Sequence, residues 1–124
     1  MHRLLPITAI SLAACVTVPA SAGLTAGLGQ VAIVDGVTIR PLGVVEDSRC
    51  PKDVQCVWAG RLVILAEIAY RGGSESFRGR MTLGQALVFG RETVTLVSAT
   101  PGKTAGSIID PRAYRFSFAV ERAS

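Results

Sequence analysis

Tyr114-Arg115-Phe116-Ser117-Phe118-Ala119-Val120-Glu121 decides the fold. Its large apolar side chains fall on alternate positions, with Arg115, Ser117 and Glu121 between them. A period of two places the aromatic residues on one face of a strand and the polar ones on the other, which is a half-buried β-strand. A helix would scatter the same residues around its axis.

The same period runs through the chain upstream. Gln30-Val31-Ala32-Ile33-Val34 and Val37-Thr38-Ile39-Arg40 flank Asp35-Gly36, a dipeptide that tolerates the positive φ values of a tight hairpin. Pro41 has no amide hydrogen for a ladder, so it predicts an edge or a bulge, and Leu42-Gly43-Val44-Val45 carries the chain onward. The run from Arg61 to Tyr70 is, past its first residue, apolar on both faces except at Glu67, which predicts a central strand covered on both sides. Phe77, Gly79, Met81 and Leu83 alternate with Arg78, Arg80 and Thr82. Ala86 to Phe89 and Glu92 to Ser98 are further β-rich runs, stopped by Gly90 and by Pro101-Gly102. The expectation is an all-β fold: a single small β-sandwich, or a barrel-like closure, of about seven to eight strands.

In 124 residues there is room for one such domain. The expected organisation is a signal segment over 1–22, a small, Gly-rich tether over 23–29, and the β domain over 30–124. Met1-His2-Arg3 followed by an apolar stretch and small residues is an export signal. Two processing sites compete within it. Leu12-Ala13-Ala14-Cys15 has the form of a bacterial lipobox, with Cys15 the lipid-bearing residue and the membrane reached through that lipid. Ala20-Ser21-Ala22 before Gly23 suits ordinary signal peptidase. Pro6 and Pro19 make the stretch a poor membrane-spanning helix. Both processing routes place the domain outside the cytoplasm, and the lipid-anchored form is the expectation.

Cysteine arithmetic agrees with export. Of three cysteines, removing or lipidating Cys15 leaves Cys50 and Cys56, which an oxidising compartment lets pair. The competing reading, a metal held by two thiolates with Asp47 and Asp53 nearby, lacks the usual ligands. The only histidine, His2, lies in the export signal, and zinc favours four N/S donors. Neither a metal nor a cofactor is expected. Beyond Cys15, 12 basic residues (13 less Arg3) face 9 acidic ones, too mild an excess for a nucleic-acid footprint.

Cysteine, tryptophan and charge crowd together between Glu46 and Gly60. Asp47, Arg49, Lys52 and Trp58 are the candidate partner contacts. Against that stands a structural reading: Trp58 packed over the disulfide, and Glu46-Asp47-Ser48 bonding nearby backbone amides in a turn. The packed tryptophan is the expected one. Catalysis has little to work with, because a mature chain without histidine cannot build a Ser-His or Cys-His dyad. No phosphate-binding glycine loop is present either. The arginines Arg71, Arg78, Arg80 and Arg91 are read as a solvated sheet face.

The string Val45-Glu-Asp-Ser-Arg-Cys-Pro-Lys-Asp-Val-Gln-Cys-Val-Trp-Ala-Gly60 resembles the signature of a family of small bacterial exported proteins, often lipoproteins. Asp110-Pro-x-x-Tyr114 before the last strand is similar to that family as well. The resemblance implies an all-β envelope domain and no reaction, and it carries over no catalytic residues. The expected function is therefore a non-enzymatic cell-envelope domain binding another envelope component. The alternative is a secreted inhibitor or sensor that acts through the disulfide-closed 46–60 loop.

Overall fold

A computed structural model describes residues 24–122. The expected signal segment over 1–22, with the expected lipid-bearing Cys15, lies outside the described residues.

The chain forms eight strands: β1 (Thr25–Ala26), β2 (Ala32–Val34), β3 (Val37–Asp47), β4 (Leu62–Tyr70), β5 (Ser76–Thr82), β6 (Ala86–Phe89), β7 (Glu92–Thr100) and β8 (Arg115–Arg122). A single 3₁₀ turn, Pro111–Ala113, precedes β8 and is opened by Asp110, whose side chain accepts from the Arg112 amide. The strands make two antiparallel four-stranded sheets, ordered β2-β3-β4-β5 and β1-β8-β7-β6. The protein is thus a small β-sandwich.

Local chemistry accounts for most of the pairing. Asp35 (φ 48°) and Gly36 (φ 79°) turn β2 into β3, as the dipeptide predicts. At Pro41 the register of β3 against β4 shifts, with β2 ending opposite Ile39. The Pro41 carbonyl accepts from the Gly29 amide (2.7 Å), so Pro41 turns its backbone polar groups away from β4, to the side where β2 no longer pairs and no ladder donor is needed. The core lies between the sheets and is built from Ile39, Leu62, Ile64, Ile68 and Met81 on one side and Val94, Leu96, Phe116 and Phe118 on the other, each at most 3% exposed. Tyr114 and Phe116 stack with ring centres 5.5 Å apart.

Two expectations need correction. The tether reading of 23–29 overlooks β1: Thr25 pairs with Ser117, Ala26 with Phe116, and Ala26 is buried at 1% exposure. A strand of two residues is too short to show a period, so its pairing with β8 is a tertiary event. β4 is central, as expected, but among the described residues no layer of backbone covers its outer face. Leu65, Glu67 and Ala69 there are half-buried among the side chains of β3 and β5, including Arg40, Arg78 and Arg80. Long arginine stems shield apolar surface while their charged ends stay wet.

β1 runs antiparallel to the first half of β8. β8 starts beside the 101–114 loop, and the Phe118 amide donates to the Leu24 carbonyl (3.1 Å). Traced backwards from Ala26, the chain runs along β8 away from Tyr114.

Candidate functional site

The 48–60 loop continues the β3–β4 hairpin beyond its sheet. The Ser48 amide donates to the Arg61 carbonyl (2.8 Å), the Arg61 amide to Ser48 Oγ (3.0 Å) and the Cys50 amide to the Ala59 carbonyl (3.3 Å). Gly60 makes this closure. It has φ +68°, and a Cβ there would lie 1.7 Å from the Ser48 carbonyl oxygen, so no other residue fits without moving the strand. Cys50 and Cys56 form a disulfide with Cα atoms 5.9 Å apart. Their sulfurs are bonded to each other and offer no thiolates to a metal.

Beneath the loop sits a clasp joining the two sheets. Arg49 donates through Nε and Nη2 to the Asp47 carboxylate (2.8 and 2.9 Å) and through Nη1 and Nη2 to the carbonyls of Ala99 and Pro101 (both 3.0 Å). Tyr114 donates its hydroxyl to Asp47 Oδ2 (2.8 Å), and Lys103 Nζ donates to the Asp47 carbonyl (2.8 Å). The loop is also pinned sideways: the Lys52 amide donates to the Lys103 carbonyl (3.0 Å), and Asp53 accepts from the Ala105 amide (2.9 Å). Asp47 leaves the end of β3 in one sheet, while Ala99 and Tyr114 flank the β7–β8 connection of the other. One bidentate ion pair therefore ties both sheets and both loops together.

The clasp holds its groups in fixed protonation states. Burial pushes the Asp47 carboxyl up, but the bonds from Arg49 and Tyr114 and the adjacent positive charge outweigh it and leave Asp47 below its ordinary value. The bond to Asp47, opposed by burial, raises Arg49. Burial, and then the bond to a carboxylate, push Tyr114 up to about 12. The lowered Asp47 and the raised Tyr114 both favour a carboxylate that accepts from a neutral tyrosine hydroxyl, the arrangement that the 2.8 Å bond records.

The four candidate contacts therefore divide. Asp47 and Arg49 lie inside the clasp, with side chains 10% and 15% exposed. Lys52 is exposed on the loop. Trp58, expected to pack over the disulfide, is 83% exposed instead. The reason lies in the hairpin: the Cys50–Ala59 bond and Gly60 prolong the ladder past the end of the sandwich, and the ring stands beyond the core. Sequence reading missed Val57 and Ile108, at 92% and 98% exposure, and Val54 at 47%. These apolar residues occupy the two loops that the Lys52–Lys103 and Asp53–Ala105 bonds hold together. No periodicity could mark them, because neither loop has a face. Lys103, whose link to the clasp spans 56 positions, carries no local signal at all.

Among the described residues no group of three or more His, Cys, Asp or Glu side chains is placed to hold a metal ion. No protein-family model, characterised protein or solved structure matches the chain.

Proposed function

We propose that this protein is an exported, non-enzymatic cell-envelope domain, anchored by a lipid on Cys15, that docks another envelope protein through the loop end of its sandwich. The observation that carries the reading is the side-by-side exposure of Val57 and Trp58 on a loop braced by a disulfide, the Ser48–Arg61 bonds and the Asp47–Arg49 clasp. Large apolar groups on a pre-ordered loop bind at low entropic cost, and tryptophan is the commonest interface anchor. The resemblance to exported lipoproteins and the pairing of Cys50 with Cys56 support export. The inhibitor alternative is less well supported on its arginine side, since the Arg49 guanidinium is held by Asp47, Ala99 and Pro101.

A photo-crosslinking residue at position 57 in intact cells should give one discrete adduct. The same residue at Val88, 76% exposed on β6 of the other sheet, should not. Trp58→Ala should abolish the adduct and leave stability within ~0.5 kcal/mol. No adduct at position 57, or identical labelling from both positions, refutes the docking reading. The intact mass of the mature protein tests the anchor: a start at Cys15 carrying a diacylglyceryl group is expected, and an unmodified start at Gly23 overturns it.

A further inference from the structure

A second feature lies on the outer face of the β2-β3-β4-β5 sheet, apart from Val57 and Trp58. Val45, Glu46, Arg61, Val63, Arg80 and Thr82 line a recess of about 380 Å³. The register explains their meeting. Glu46 pairs with Val63, and Val63 with Thr82, across three neighbouring strands, while Arg80 pairs with Leu65 one same-face step along β4. Arg61 is one same-face step the other way. The two arginines thus approach Val63 from opposite ends, roughly 13 Å apart along the strand, and both reach the recess on long side chains.

Their donors are underused. Arg61 gives Nε to Glu46. Among the described residues its terminal amino groups have no acceptor and the Arg80 guanidinium has no partner. By contrast, Arg49, Arg78 and Arg112 each bond a carboxylate. Two guanidiniums against one carboxylate leave the recess one positive charge in excess. Beneath them the floor is apolar, with Val63 at 5% exposure and Val45 at 46%. The Thr82 hydroxyl adds a neutral donor and acceptor, and among the described residues β5 is the outermost strand of its sheet, so the recess opens toward a sheet edge.

We propose that this recess binds a monoanionic carboxylate bearing a short alkyl group, as found at the free C-terminus of a peptide. The excess charge matches one negative charge. The planar guanidinium fork matches a carboxylate's two oxygens. The valine floor takes the alkyl group, and the open edge lets a longer chain leave.

The test is an amide-shift NMR titration of the full chain with N-acetyl-L-alanyl-L-alanine, its C-terminal amide and propionate. Shifts should cluster on Val45, Glu46, Arg61, Val63, Arg80 and Thr82 with both carboxylates and be absent with the amide. Arg80→Gln, at an exposed and unpartnered position, should keep the fold and weaken binding roughly tenfold. Glu46→Gln should tighten it severalfold by releasing Arg61 Nε, which a purely structural role for Glu46 would not do. Binding of the dipeptide above propionate identifies a peptide end; equal binding identifies a small carboxylic acid; both retain the carboxylate site. Equal shifts from the amide, no shifts with any probe, shifts elsewhere, or an Arg80→Gln variant that binds like wild type would overturn it. Trp58→Ala should leave this titration unchanged, so failure of loop docking and failure of the recess are separable.

Discussion

Replacing Asp47 by Asn keeps the shape of the clasp and removes its charge. Arg49 would then point two donors at an amide that accepts through one oxygen. Bonds to a charged group contribute about 1.5–3 kcal/mol each, against about 1 kcal/mol for neutral pairs. Breaking a fully buried ion pair costs about 3–5 kcal/mol. Arg49 is 15% exposed and keeps the carbonyls of Ala99 and Pro101, so the cost should fall below that range, at about 2–3 kcal/mol. For a domain of this size that lowers Tm by about 10 °C or more. Urea and thermal unfolding followed by circular dichroism would measure both. The pH dependence is a second readout. Asp47 is held below its ordinary value when folded, so its contribution is complete above the unfolded carboxylate range, from about pH 5 upward, and is lost as pH falls through the folded value. Asp47→Asn should therefore flatten the acid limb of the stability curve. A variant within ~0.5 kcal/mol of wild type, with the same acid slope, would refute the clasp as the tie between the sheets.

At the alkaline end the sign is opposite. Tyr114 is raised to about 12, so its contribution is full below about pH 10 and declines as pH rises toward 12; Tyr114→Phe removes a bond to a charged carboxylate and should abolish this decline and cost about 1.5–3 kcal/mol at neutral pH, measured by urea unfolding across that range. Replacing Cys50 and Cys56 by Ser should cost about 2 kcal/mol, the chain-entropy value for so short a loop, with the sandwich intact and faster hydrogen exchange confined to the 50–59 amides. Gly60→Ala should cost well over ~1 kcal/mol, because it combines positive φ with a backbone clash, and should speed exchange of the Ser48 and Cys50 amides. A Gly60→Ala variant of wild-type stability would show that the hairpin extension is not rigid.

The strands were legible from the sequence wherever a local period or turn specified them. Tyr114 to Glu121, the Asp35-Gly36 hairpin and the loss of β2 pairing at Pro41 needed only side-chain alternation, positive φ and a missing amide hydrogen. The Cys50–Cys56 bond followed from cysteine arithmetic, because the partners sit close in the chain. β1 escaped, since two residues carry no period and its partner is about ninety positions away. The 46–60 stretch was marked as the centre of interest by its composition, but composition does not assign roles. Asp47 and Arg49 became a clasp only when β7 and β8 brought Ala99, Pro101 and Tyr114 to them. Trp58 became exposed only because Gly60 and the Cys50–Ala59 bond carry the hairpin past the core. The sequence by itself determined which residues alternate, turn and pair locally, since those properties belong to neighbours along the chain. Tertiary structure decided which of the crowded polar and aromatic groups face each other and which face water, because burial is a property of segments that meet only in space.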